Sequence, residues 1–239
     1  TPTRFLWDDS HKYLDEFQRP SLIKKFTPFF LNYLRIWDQE ASARVDYFVA
    51  ISDFIKKRIR KYYQRDSLVV YPPLETAKFK ISDRIDDYFL MVGRMVPYKR
   101  FDLAIRVFNE LGWPLKIIGD GPQKRFLQKI AKKNIEFIGL VSDYQLPPYY
   151  SRARAVVFPQ EEDFGLVPVE AMASGRPVIA FRAGGSLETV KEGESGERFK
   201  AFVKDIAEAL RTDDEKESKD KLDKSLEKYG VEAEIRKEF

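Results

Sequence analysis

The apolar positions of this chain change rhythm along its length, and the rhythm predicts where its elements lie. Phe26, Phe29, Phe30, Tyr33, Leu34 and Trp37 recur at three- and four-residue steps. That spacing places them on one face of an amphipathic helix, packed on a core or lying on a membrane surface. Residues 45–51 form a short run rich in β-formers, and Ser52 after them can cap a helix over 53–63. This helix carries Lys56, Lys57, Arg58, Arg60 and Lys61. Such a charge run reads as a solvated face, or as a contact with an anionic membrane. Residues 68–71 read as another strand, stopped by Pro72-Pro73, a pair suited to a hinge.

Beyond the prolines the period alternates. Strands are expected over 88–92, 114–118, 135–138, 155–158 and 177–181. Helices are expected between them, over 102–111, 123–131, 165–173 and 186–190, the first burying Leu103, Val107 and Leu111. This alternation predicts an α/β fold with a parallel, doubly wound sheet. Ligands of such sheets sit outside the carboxyl ends of the strands, so the chemistry belongs in the turns there. The tail, 201–239, is charged and reads as solvated helices.

Composition narrows the chemistry. The 239 residues hold no Cys and one His, His11. Thiolate metal sites and multi-histidine sites are excluded, and a histidine triad is disfavoured. No apolar run approaches the roughly 20 residues of a membrane span. A net charge of +4, from 42 basic and 38 acidic residues, gives no argument for a nucleic-acid partner.

Three turns at predicted strand ends fit one ligand type. The first is Gly93-Arg94-Met95-Val96-Pro97-Tyr98-Lys99-Arg100. Arg94 can hold a diphosphate through paired N–H groups, and Lys99 can add a point charge. The plain alternative is a solvated basic turn. The second, Gly119-Asp120-Gly121-Pro122, lets backbone approach a ligand closely. The third runs from Glu161 through Gly165 into Leu166-Val167-Pro168-Val169-Glu170. Gly165 opens a helix whose end attracts an anion. Glu170, further in, can accept hydrogen bonds from both hydroxyls of a ribose, and Glu162 can reach sugar hydroxyls. The plain alternative here is an acidic loop and one surface Glu.

Together with Gly184-Gly185, these turns resemble the GT-B family 4 of retaining glycosyltransferases. The stretches 98–105 and 161–165 are most similar to its WbaZ-like mannosyltransferases. The resemblance covers about residues 1–200. It implies a Rossmann-like donor-binding domain over 74–200, the C-terminal domain of a GT-B fold. Residues 1–73 would be the end of an acceptor-binding domain, most of it missing, its usual catalytic histidine lying upstream of Thr1. It implies Arg94, Lys99 and Glu162 as catalytic groups. Gly93, Gly119, Gly121, Val141, Phe164, Gly165, Leu166 and Glu170 would bind the donor, with 140–142 at the base. The implied donor is GDP-mannose or another nucleotide-diphosphate sugar, with no metal and no other cofactor. The implied acceptor is a glycan or a lipid-linked sugar, used in cell-surface polysaccharide synthesis in the cytoplasm, at the inner face of the membrane.

One departure is Pro147-Pro148, expected to delay or kink a helix that is regular in the family. Two other classes compete with the transferase. One is a nucleotide-sugar-binding module that needs a partner N-terminal segment. The other is a GT-B epimerase, against which the spacing of Glu162 and Glu170 argues.

Overall fold

The computed structural model describes residues 2–8, 21–191 and 196–198. His11 and the tail 201–239 lie outside the described residues. The chain packs as two units that divide between Pro72 and Pro73.

In the first unit, α1 (Arg4–Trp7) and α2 (Ser21–Ala43) precede β1 (Val49–Ala50), α3 (Asp53–Tyr63) and β2 (Leu68–Val69). The two strands pair in parallel, Val49 opposite Leu68. Helix α3 starts where Ser52 predicts, because the Ser52 Oγ accepts the Ile55 N–H at 3.1 Å. Ile55 and Ile59 then close a small core with Ala50.

The basic face of α3 is not uniformly solvated. Arg58 is buried; its Nε meets Asp8 at 2.7 Å, and one of its terminal nitrogens donates to the Pro2 carbonyl. It sits on the Ile55–Ile59 side of the helix, so the core turns it inward. The aromatic stripe of α2 also departs from the packed face expected of it. Phe29, Phe30, Tyr33 and Trp37 are all more than half exposed. Helix α2 engages its own unit on another side, where Arg35 donates to the Leu6 carbonyl and Asp38 accepts from Trp7 and Tyr63.

The second unit opens with a 3-10 turn, Thr76–Lys78. It then alternates: β3 (Phe89–Val92), the 3-10 turn Pro97–Lys99, α4 (Phe101–Leu111), β4 (Leu115–Ile118), α5 (Lys124–Ile130) and β5 (Ile135–Gly139) follow one another. The second half runs α6 (Leu146–Arg152), β6 (Val156–Phe158), α7 (Leu166–Ala173), β7 (Val178–Ala180), α8 (Ser186–Thr189) and β8 (Gly196–Arg198). Among the described residues six strands form one sheet in the order β5-β4-β3-β6-β7-β8, every pair parallel. The chain winds outward from β3 through β4 and β5, then crosses back to β6 and winds the other way. That is a doubly wound α/β sheet whose direction reverses between β3 and β6.

Side chains of β3 alternate across the sheet. Phe89 and Met91 join a core with Phe108 and Ile117 on one face. Leu90 joins Tyr150, Val156 and Ala171 on the other. Helix α4 buries Phe101, Ala104, Ile105 and Phe108, rather than the expected stripe centred on Leu103, Val107 and Leu111. Val107 is buried, but Leu103 and Leu111 only flank the cluster, since the larger Phe rings set which side faces the sheet. Pro147 and Pro148 break nothing. Both fall in the first turn of α6, where an N–H would lack an intrahelical partner anyway.

Candidate functional site

The carboxyl ends of β3 and β4 are tied together by their turns. The Met95 N–H donates to the Asp120 carbonyl at 2.8 Å, and the Gln123 N–H to the Met95 carbonyl at 3.1 Å. Their approach is too close for side chains. A Cβ on Gly119 would lie 1.9 Å from the Gly93 carbonyl oxygen, and Gly119 has a φ of 136°, so glycine is required twice over.

These turns wall a cavity of about 520 Å³. Gly93, Arg94, Gly119 and Gly121 line it together with Leu140, Val141 and Leu146. Arg94 is exposed and makes no ion pair with a described residue, so its guanidinium is available to an anion. Asp120 is occupied differently. Lys124 at 3.0 Å and the Gly121 N–H at 2.7 Å hold its carboxyl below the usual carboxylate range.

At the reversal point the turn after β3 meets the loop after β6. Lys99 Nζ lies 3.0 Å from Glu162 Oε1, with both side chains largely buried. The acidic loop is shaped from behind by Gly184-Gly185. The Gly185 N–H donates to the Glu162 carbonyl at 2.8 Å, and a Cβ on Gly185 would fall 2.4 Å from the Phe164 Cα. The loop then enters α7. Phe164 is buried, Gly165 is the left-handed N-cap, and Leu166 is exposed. The amides of Gly165, Leu166 and Val167 have no acceptor inside the helix, and Pro168 has no N–H. The positive end of α7 therefore offers donors on the side of the acidic loop.

Glu170, in the second turn of α7, opens on a neighbouring cavity of about 240 Å³, lined also by Phe79, Asp143 and Pro147. Leu146 borders both cavities. The Tyr150 hydroxyl donates to Glu170 Oε2 at 2.6 Å. Burial first, and then the Glu170 charge, push the Tyr150 phenol well above its ordinary range.

The sequence-expected residues thus fall into three groups. Gly93, Arg94, Gly119, Gly121 and Val141 surround the larger cavity. Lys99 and Glu162 pair at the reversal point, where Phe164, Gly165 and Leu166 lead into α7. Glu170 lines the smaller cavity, which shares Leu146 with the larger. Tyr150 and Phe79 escaped the sequence reading. Tyr150 lies inside a helix and Phe79 closes the 3-10 turn Thr76–Lys78, and nothing in their local pattern marks them as other than core.

Comparison with known proteins gives the family. Residues 74–233 match the model of the glycosyl transferases group 1, well over half of the chain. The protein belongs to that family. An uncharacterized glycosyltransferase of Methanocaldococcus jannaschii is 29% identical over 167 residues, 68% of this chain and 47% of the relative. The O-antigen chain mannosyltransferase RfbU of Salmonella typhimurium is 30% identical over 161 residues, 62% of this chain and 45% of its own. The chain spans about half the length of these curated relatives. Among solved structures, Anabaena HepE in complex with UDP and glucose superposes with a TM-score of 0.63 at 18% identity, covering 83% of this chain and 63% of that one. At that identity the likeness speaks for the GT-B fold alone.

Proposed function

We propose that this protein is the donor-binding part of a retaining, family 4 glycosyltransferase of the WbaZ-like kind. It transfers a hexose, mannose from GDP-mannose, to a glycan or lipid-linked acceptor in cell-surface polysaccharide synthesis. The observation that carries the reading is the meeting of Lys99 with Glu162 at the sheet's reversal point, beside the open end of α7 and near the turn that bears Arg94.

In this reading the nucleotide base lies against Leu140 and Val141, and Glu170 accepts from the ribose. Arg94, Lys99 and the amides at the start of α7 surround the diphosphate. Glu162 contacts a hydroxyl of the hexose. The reaction breaks the bond from the anomeric carbon to the diphosphate and forms one to the acceptor oxygen on the same face. The acceptor proton leaves with the diphosphate. Negative charge grows on the diphosphate as the bond breaks, and fixed cations and amides already in place stabilise it most at that moment. The reaction needs no metal in this account. The mannose assignment draws on the stretches 98–105 and 161–165, and agrees with the mannosyltransferase name of the Salmonella relative.

A second reading is a module that holds nucleotide sugar and acts only with a partner N-terminal segment; the cavity beside Gly93 and Gly119, whose lining lies wholly in the second unit, favours it. One experiment addresses both. GDP, UDP and ADP, with their sugars, are screened by thermal shift, and the best donor is then assayed for transfer with and without that segment. The proposal expects GDP and GDP-mannose to raise the melting temperature most, and transfer with the segment to persist in EDTA. No shift from any nucleotide would remove the proposal; transfer seen only with the segment favours the module, and transfer by the chain alone rules the module out.

A further inference from the structure

Glu170 reaches its cavity on a flexible arm, and its terminal torsion is broad unless something fixes it. Here something does. The Tyr150 hydroxyl donates to Oε2 at 2.6 Å, a length usual for an O–H bonded to a carboxylate. It is the one donor to that carboxylate among the described residues.

Tyr150 is a rigid support. Its side chain is wholly buried, packed with Leu90, Val156, Phe158 and Ala171 beneath the sheet. Phe79 meets its ring edge-on at 6.0 Å, and Phe79 also lines the cavity that Glu170 opens on. Its phenol stays protonated at any working pH, so the hydroxyl remains a donor. The ring sits on α6, whose first residue, Leu146, borders both cavities.

We infer that Tyr150 is a positioning residue for nucleoside recognition. It occupies one oxygen of Glu170 and holds the other in the direction from which a vicinal pair of hydroxyls can donate. The inference rests on the reading of Glu170 as the ribose carboxylate. A carboxylate held in this way favours a ribonucleotide over the form that lacks a hydroxyl, because the missing donor leaves a fixed charge short of a partner.

The test is calorimetry of the full chain with GDP, UDP and the 2′-deoxy form of each. The parent, Tyr150→Phe, Glu170→Gln and the double variant are compared. The parent should hold the ribo form of its preferred nucleotide about tenfold more tightly than the deoxy form. Tyr150→Phe should lose most of that ratio while its affinity for the deoxy form stays at the parental value. Adding it to Glu170→Gln should cost nothing further, since the two act as one unit. A parental ratio in Tyr150→Phe, or an equal loss for both forms, overturns the inference and leaves the Glu170 reading standing. A parent that binds neither nucleotide, or does not separate the ribo and deoxy forms, overturns that reading and the inference with it.

Discussion

At Gly119 the Gly93 carbonyl occupies the space a side chain would need. Gly119→Ala should therefore destabilise the chain by about 1–3 kcal/mol from its backbone conformation alone, before the clash is added. Urea unfolding measures this, and a variant as stable as the parent would contradict the interlocked turns. Residues of this sort were legible because their types are unusual where they stand. A glycine pair, an Arg and a Lys after a β-run fit a solvated basic turn as well as a phosphate-bearing ligand, and it was their place at successive strand ends that marked them. Glu170 was legible for a similar reason, as a carboxylate among Val167, Val169 and Met172. Tyr150 was not. It lies 20 residues from Glu170 on another helix, and an aromatic in a helix reads as core until the fold brings the two together. Arg58 misled for the converse reason. Lys56, Lys57, Arg60 and Lys61 around it are exposed, while its partners Asp8 and Pro2 are about fifty residues away.

Most elements were easier than residues: β8, Gly-Glu-Arg, has no apolar run and α6 no capping side chain, but the other strands of the second unit hold apolar runs and some helices start at a recognisable signal. Ser52 is the clearest of these. Fully buried and bonded to the Ile55 N–H, it should cost about 1 kcal/mol when replaced by Ala. The checking measurement is the urea midpoint at unchanged slope, and a midpoint that does not move would count against the cap. The proline pair in α6 shows where local rules run short. Pro147 and Pro148 argue against a helix only if they fall beyond its first turn, and a sequence does not say where that turn begins. Pro148 is exposed and sits in a backbone that suits it. Pro148→Ala should lower stability by roughly 0.4–1 kcal/mol through the freer unfolded chain. Were the prolines straining α6, the same change would raise the melting temperature. The buried side of α4 was misplaced because period alone does not tell a Leu stripe from a Phe stripe on the same helix.

The strand order of the whole molecule could not be read from strand positions. Alternation implies a parallel sheet, but the return from β5 to the far side of β3 is a fact of packing. That return sets the turn that carries Arg94 and Lys99 against the Glu162 loop. Every site residue falls in the unit after Pro72. A chain of residues 73–239 should therefore bind the same nucleotide as the full chain, with an affinity within about twofold. Loss of binding on removing 1–72 would show that the first unit contributes to the site. The exposed Phe29, Phe30, Tyr33 and Trp37 belong to that first unit and play no part in this account of nucleotide binding.

Cations at the reversal of the sheet are proposed to recognise a diphosphate. Calorimetry of GDP against GMP, in the parent and in Arg94→Ala, tests it most directly. The parent should bind the diphosphate at least about tenfold more tightly than the monophosphate, as a charge-assisted contact to the second phosphate requires, and Arg94→Ala should remove most of that preference. Equal affinities for the two nucleotides in the parent, or an undiminished preference in Arg94→Ala, would contradict it.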